Sequence, residues 1–181
     1  MTRYIAFLRA INVSGHVVKM DALRRLFEDM GFTRVETFIA SGNVIFESET
    51  ADAVALERRI AEGLRTALGY EVVTFLRTPA ELASTAAYLP FAAEDLLAEG
   101  VSLYVGFLGN APAEPALQTI LAFRTPVDEF AVYGREIYWL CRIRSSDSMF
   151  SLSRLERAIG MQATFRNVTT VRKMAEKYAQ G

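Results

Sequence analysis

One order of secondary-structure patterns, occurring twice, constrains this chain more than any other sequence feature. Apolar β-rich runs and stripes with helical spacing follow each other as β-α-β-β-α-β in the first 77 residues, and the same order returns between Ser102 and Phe165. In the first copy, strands are predicted at Tyr4–Leu8, Val35–Ala40, Val44–Phe46 and Val72–Leu76. This order with short connections is typical of the ferredoxin-like split βαβ unit. We therefore predict an α+β protein with two tandem ferredoxin-like halves.

The same patterns predict the domain organisation. We expect a first half at residues 1–78, a helical linker at 79–100, a second half at 101–167 and a C-terminal helix at 168–181. The linker begins with Thr78-Pro79-Ala80-Glu81, which has the residues of a helix start with a capping box. The stretches "YIAFL" at Tyr4 and "YVGFL" at Tyr104 are similar, which supports an internal duplication.

The predicted topology brings two polar segments together. Right-handed crossovers place the third strand of each half between the first and the second, antiparallel to both. The loop after the first strand and the hairpin between the second and third strands then lie at the same end of the sheet. The polar or glycine residues that this arrangement gathers are Arg9, Asn12, Lys19, Ser41, Gly42 and Asn43.

These residue types suit an anion. A loop that enters a helix presents backbone N–H groups, and nearby cations add attraction for a phosphate or carboxylate. Near the C-terminus, Arg166 and Asn167 precede the last helix, and an arginine there can hold an anion bidentately. We predict that these eight residues bind a small anionic ligand.

A structural interpretation of the same residues stays open. Asn12 is also suited to bond the backbone of its own turn, and Gly42-Asn43 to form only the hairpin, because both residue types tolerate positive φ. Arg166 is also suited to pair with a carboxylate. Thr169 or Thr170 is available as the N-cap of the last helix.

Composition narrows the function classes. The chain has one cysteine, Cys141, and one histidine, His16, so it has no intrachain disulfide and no thiolate zinc site, and we expect no metal and no cofactor. The sequence has no P-loop, no nucleotide-binding glycine fingerprint and no convincing catalytic triad. No catalytic residues are identified, and we favour a binding protein over an enzyme.

Charge and hydropathy bear on partners and location. The net charge of −1 lacks the basic excess that nucleic-acid binders usually have. Binding of RNA or single-stranded DNA to aromatic rings on the sheets nevertheless remains an alternative, as does a protein-interaction module. We expect most of these rings in the core, because the first strand is apolar on both faces.

No apolar run is long enough to span a membrane, and we expect a cytoplasmic protein.

Three stretches carry a resemblance to a known family: "YIAFLRAINVSGHVVKM", "FTRVETFIASGNVIFES" and "TFRNVTTVRKM". The chain resembles the uncharacterised bacterial proteins catalogued as domain of unknown function 1697. That family's pattern has glycine where this chain has Ala10 and Ser14, tryptophan in place of Val168 and asparagine in place of Thr169. The resemblance implies a fold of two ferredoxin-like halves and implies no activity.

Overall fold

The computed structural model describes residues 1–39 and 42–179 and has an α+β architecture with two four-stranded antiparallel sheets. Its first elements are β1 (Thr2–Arg9), α1 (Met20–Asp29), β2 (Thr33–Thr37), β3 (Asn43–Ser48), α2 (Ala53–Leu68) and β4 (Val73–Arg77). The next are α3 (Pro79–Ala87), α4 (Ala93–Leu97), β5 (Ser102–Leu108) and α5 (Glu114–Ala122). The last are β6 (Asp128–Tyr133), β7 (Glu136–Cys141), α6 (Leu152–Ile159), β8 (Ala163–Asn167) and α7 (Val168–Tyr178).

The chain divides into two compact units. The first unit comprises residues 1–83 together with the C-terminal residues from Met174, and the second comprises residues 84–173. The division falls within α3 and within α7. The predicted capping box at the start of α3 is confirmed, because Thr78 N donates to Glu81 Oε2 at 2.8 Å and Glu81 N donates to Thr78 Oγ1 at 3.2 Å.

The first sheet has the strand order β2-β3-β1-β4. β3 lies between β1 and β2 and is antiparallel to both, as predicted. β1 is buried on both of its faces from Tyr4 to Leu8, which is also as predicted. Its Tyr4, Ala6 and Leu8 pack with the apolar stripes of α1 and α2 in one hydrophobic core. Burial of each large side chain in such a core contributes roughly 1.5–3 kcal/mol.

The C-terminal end of α7 is bonded to β2 within the first unit. Lys177 Nζ and Tyr178 OH both donate to Glu36 Oε2, each at 2.9 Å, and the Tyr178 ring packs edge-on against Phe38. The hydrogen bond from Lys177 is the largest cause that lowers the pKa of Glu36. Hydrogen bonds with Tyr178 and Glu36 raise the pKa of Lys177 to about 12.

The second sheet has the order β6-β7-β5-β8, the same arrangement as the first. Equivalent strands also make equivalent contacts. Tyr4 on β1 lies opposite Phe46 and stacks on it, with ring centroids 5.8 Å apart. Tyr104 on β5 lies opposite Trp139 and stacks on it at 4.8 Å. The similarity between "YIAFL" and "YVGFL" is therefore a similarity between the two central strands that these stretches form.

The buried carboxylate of Asp128 connects several segments of the second unit. Asp128, at the start of β6, is 1% exposed. Its carboxylate accepts hydrogen bonds from Trp139 Nε1 at 2.9 Å, from Thr125 Oγ1 at 3.0 Å and from Ser148 Oγ at 2.8 Å. This one side chain therefore ties β7 and two connecting segments to the edge of the sheet. The neighbouring Cys141 is fully buried, and burial raises the pKa of its thiol.

Candidate functional site

The loop between β1 and α1 (residues 10–19) and the hairpin between β2 and β3 (residues 38–42) meet at one end of the first sheet; we call these two segments the rim. Leu8 N donates to Gly42 O at 2.7 Å, and Phe7 lies opposite Asn43 in the sheet register. This hydrogen bond and this register place the start of the loop and the hairpin at the same end of the sheet, as predicted. Ala40 and the predicted site residue Ser41 lie outside the described residues.

The loop is fixed to the core at both of its ends. Ile11 and Val18 are buried in the hydrophobic core of the first unit. Tyr70 OH donates to Ile11 O at 2.5 Å, and the His16 ring lies 5.0 Å from the Tyr70 ring. The exposed side chains of the loop therefore project from a backbone that the core holds in place.

Asn12 bonds the backbone of its own loop, which is the structural role that the sequence left open. Its Oδ1 accepts a hydrogen bond from Val18 N at 2.8 Å, which closes the loop on itself. Lys19 follows directly, in an extended conformation before α1, and its side chain is exposed and makes no capping hydrogen bond. Arg9, the last residue of β1, is half-buried and lies opposite Val73 on β4. Two cationic residues therefore flank the loop, one at each end.

The hairpin differs from its prediction in one respect. β2 ends at Thr37 instead of Ala40, and the positive φ angles fall at Ile39 (62°) and Gly42 (105°), not at Asn43. Asn43 is the first residue of β3 and is 2% exposed. Its Nδ2 donates to Phe38 O at 3.2 Å, and its carbonyl accepts from Phe38 N at 3.1 Å. The side chain of Asn43 thus closes the hairpin.

Three left-handed residues shape the loop: Ala10 with φ 58°, Ser14 with φ 51° and Gly15 with φ 82°. The first two are the positions at which the related family pattern has glycine. An L side chain in this conformation costs roughly 1–2 kcal/mol, which glycine avoids. The structure thus gives a physical reason for glycine at these positions, and this chain accepts strain there instead.

We expect Ala10→Gly to raise the free energy of unfolding by about 0.5–1 kcal/mol, since relief of strain exceeds the entropy that glycine loses on folding. Thermal unfolding should show the melting temperature rising by roughly 1–4 °C. The matched control is Ala22→Gly on the exposed face of α1, where glycine should destabilise by about 0.5–1 kcal/mol. A lower melting temperature for Ala10→Gly than for the wild type would contradict the expectation.

Arg166 and Asn167 lie in the second unit, at the end of β8. Arg166 Nη1 donates to Thr164 Oγ1 at 2.8 Å and to Phe165 O at 3.0 Å, and burial lowers the pKa of Arg166 to about 10. Asn167 Oδ1 accepts from Thr169 N at 2.8 Å. Asn167 itself therefore caps α7, which begins at Val168 as predicted, so neither Thr169 nor Thr170 is the cap.

The second unit offers an internal comparison for the rim. Leu108 N donates to Arg135 O at 2.9 Å, which is the bond equivalent to that between Leu8 and Gly42. The connection after β5 covers only residues 109–113, and Arg135 Nη1 donates to Gly109 O across it at 3.4 Å. The rim of the first unit therefore has a longer connecting loop than its equivalent in the second unit.

The sequence missed Tyr70 as a residue that holds the loop, since a tyrosine beside Gly69 carries no periodic signal.

Residues 1–39 and 42–179 contain neither a metal-binding cluster nor a membrane-spanning helix. There, no three His, Cys, Asp or Glu side chains are grouped so as to hold a metal ion. Among those same residues, no helix has both the length and the apolar character needed to cross a membrane.

These features define a class of α+β proteins with two four-stranded antiparallel sheets of identical strand order and an extended loop at one sheet end. The chain belongs to the family described as "Protein of unknown function (DUF1697)", whose model matches residues 1–138. Among curated proteins, none matches. The chain is similar in fold to the conserved bacterial protein SP0830 from Streptococcus pneumoniae, with a TM-score of 0.77, 21% identity and 98% of each chain covered.

Proposed function

We propose that this protein binds a small anionic ligand, which carries a phosphate or a carboxylate, at the rim of the first unit. The observation that carries the proposal is the hydrogen bond from Leu8 N to Gly42 O, which joins the end of β1, where the loop begins, to the hairpin. In this proposal Lys19 contributes a point charge and Arg9 a planar fork of donors. Asn12, Gly42 and Asn43 hold the shape of the two segments, and Ser41 stays a predicted contact.

Two features support a ligand at this position. The loop is longer than its equivalent in the second unit, and loops that a rigid scaffold positions often carry binding residues. The loop also keeps strain at Ala10 and Ser14, and strained backbone concentrates at functional sites. Arg166 and Asn167 lie in the second unit, and their predicted contact with an anion stays a separate prediction.

Lys19→Glu should weaken binding of inorganic phosphate or a nucleoside monophosphate by roughly tenfold or more, because it replaces an attractive charge with a repulsive one. Thermal shift screening finds the ligand, and isothermal titration calorimetry measures its dissociation constant. Saturating ligand should stabilise the wild type, by about 2.7 kcal/mol at a hundredfold excess over the dissociation constant.

The matched control is Lys173→Glu, which makes the same change at an exposed lysine on α7. It should bind like the wild type. If Lys19→Glu and Lys173→Glu bind the phosphate compounds equally well, or if no phosphate or carboxylate compound binds the wild type at the rim, the proposal is wrong.

We also infer that each unit is built on a ferredoxin-like half. The βαββαβ element order, the matching strand orders of the two sheets and the equivalent bonds at Leu8 and Leu108 support this inference. On this basis the two halves derive from one duplicated unit.

A protein-interaction role is the second candidate, because exposed apolar side chains lie on both segments of the rim. Val17 is 78% exposed and Ile39 is 56% exposed. Light scattering of the wild type and of Val17→Asp tests self-association. The nucleic-acid alternative has less support, since Phe7, Phe46, Phe107, Tyr138 and Trp139 are buried and do not offer free stacking faces.

A further inference from the structure

A cavity of about 280 Å³ in the second unit lies between the end of α5 and the start of α6. It is separate from the rim, which belongs to the first unit. Its lining divides into an apolar part, formed by Phe123, Met149 and Phe150, and a polar part with two cations, formed by Arg124, Thr125, Ser151 and Arg154. The volume lies just below the usual range for ligand pockets, roughly 300–1,000 Å³, and suits only a small ligand.

The apolar part has a fixed floor and an exposed edge. The Phe150 ring packs on Trp139 at 4.6 Å and on Phe130 at 5.0 Å, so the aromatic core holds it in position. Phe123 meets Phe150 edge-on, with ring centroids 6.4 Å apart. Met149 is 83% exposed, which is unusual for so large an apolar side chain. Together they offer a small apolar surface that a ring or a branched chain of a ligand would cover.

The two cations are available to an external anion. In the part of the chain that the structure describes, neither the Arg124 nor the Arg154 guanidinium has a hydrogen bond or an ion pair. The carboxylates near Arg124 are bonded to other residues. Asp128 accepts from Trp139, Thr125 and Ser148, and Glu129 pairs with Arg142 at 2.8 Å.

Arg154 also lies where a helix disfavours a cation. Ser151 is the N-cap of α6, its Oγ accepts from Arg154 N at 3.4 Å, and the first turn has no acidic residue. A positive charge in the first turn interacts unfavourably with the helix dipole. Departures from a local preference of this kind, here the preference against cations in the first turn of a helix, are expected at functional sites. A bound anion beside Arg154 would remove the unfavourable interaction.

We propose that this cavity is a second ligand site, which binds a small organic anion. The phosphate or carboxylate group lies between Arg124 and Arg154, whose planar forks bind such groups bidentately. The apolar group lies on Phe123, Phe150 and Met149. The required ligand therefore has one anionic group and one compact apolar group, the size of a single ring or an amino-acid side chain.

Phenyl phosphate is the probe, and isothermal titration calorimetry with the full chain measures its binding. Arg154→Gln and Arg124→Gln should each weaken binding by roughly tenfold or more, because each removes a charge-assisted bond. Arg157→Gln, at an exposed arginine of the same helix outside the cavity lining, should bind like the wild type. These titrations are made in the Lys19→Glu background, which weakens anion binding at the rim, so that the phenyl phosphate signal reports on the cavity.

A second readout distinguishes ligand binding from a structural role. Arg154→Gln removes a cation from the first turn of α6, so its melting temperature should equal or exceed that of the wild type while it loses binding. Inorganic phosphate should bind more weakly than phenyl phosphate, because it lacks the ring. The proposal is overturned if phenyl phosphate does not bind the Lys19→Glu protein, if the addition of Arg154→Gln leaves that binding unchanged, or if inorganic phosphate binds the Lys19→Glu protein equally well.

Discussion

Asp128→Ala should destabilise the second unit by about 3–5 kcal/mol, because it leaves the buried indole N–H of Trp139 without an acceptor, at a cost of roughly 1–3 kcal/mol. It also removes two partly buried hydrogen bonds from hydroxyl groups, each worth roughly 0.5–1.5 kcal/mol. The donors are Trp139 Nε1, Thr125 Oγ1 and Ser148 Oγ, all within 3.0 Å of the carboxylate. Trp139 is the only tryptophan of the chain. Urea unfolding followed by its fluorescence therefore reports directly on the environment that the substitution changes.

Asp128→Asn is the matched control for this substitution. It keeps the shape and one acceptor oxygen, so it should cost about 1–2 kcal/mol, clearly less than alanine. An unfolding free energy for Asp128→Ala that lies within about 0.5 kcal/mol of the wild type, as for an ordinary surface substitution, would show that the carboxylate does not hold the unit together.

Phe46→Ala should destabilise the first unit by about 3–5 kcal/mol, the usual cost of removing a large aromatic side chain from a core. Phe46 is fully buried on β3, and its ring contacts Phe32 at 4.5 Å, Phe27 at 5.5 Å and Tyr4 at 5.8 Å. The cavity left behind borders all three rings. Urea unfolding followed by far-ultraviolet circular dichroism measures the loss.

Phe46→Leu serves as the control, because it retains most of the apolar volume. We expect it to lose less than half as much stability as Phe46→Ala. If both substitutions cost the same amount, the ring contacts do not contribute beyond apolar burial, and the interpretation of this cluster as a specific aromatic core fails.

The sequence predicted the order of elements well, because that order depends on local signals. The spacing of Leu56, Ile60 and Leu64 predicts a helix that Gly69 ends. The structure has α2 there, with Gly69 at its C-cap and φ 82°. The apolar run from Ser102 to Leu108 predicts a strand, and β5 has these same bounds. Such signals arise within a few residues of the chain, where periodicity and the conformational freedom of glycine are readable directly.

The roles of individual polar residues were harder to predict, since they depend on partners that the chain path supplies. Asn12 and Asn43 are predicted ligand contacts, and the sequence did not identify their partners in the structure, where Asn12 Oδ1 accepts from Val18 N and Asn43 Nδ2 donates to Phe38 O. Asp128 had no signal at all, because its partners Trp139 and Ser148 are 11 and 20 residues away. Periodicity identifies which face a residue occupies but does not identify the atom that it meets.

The enclosure of Cys141 has a practical consequence. Its thiol is fully buried on β7, and its Sγ lies 3.1 Å from Ile143 O. In the native state, burial keeps a thiol reagent away from the sulfur, and the pKa that burial raises also disfavours the reactive thiolate. Because the chain has no other cysteine, alkylation has a single target. The rate of labelling therefore reports how often the second sheet opens transiently. The protein thus contains its own reporter of local unfolding, which needs no engineered label.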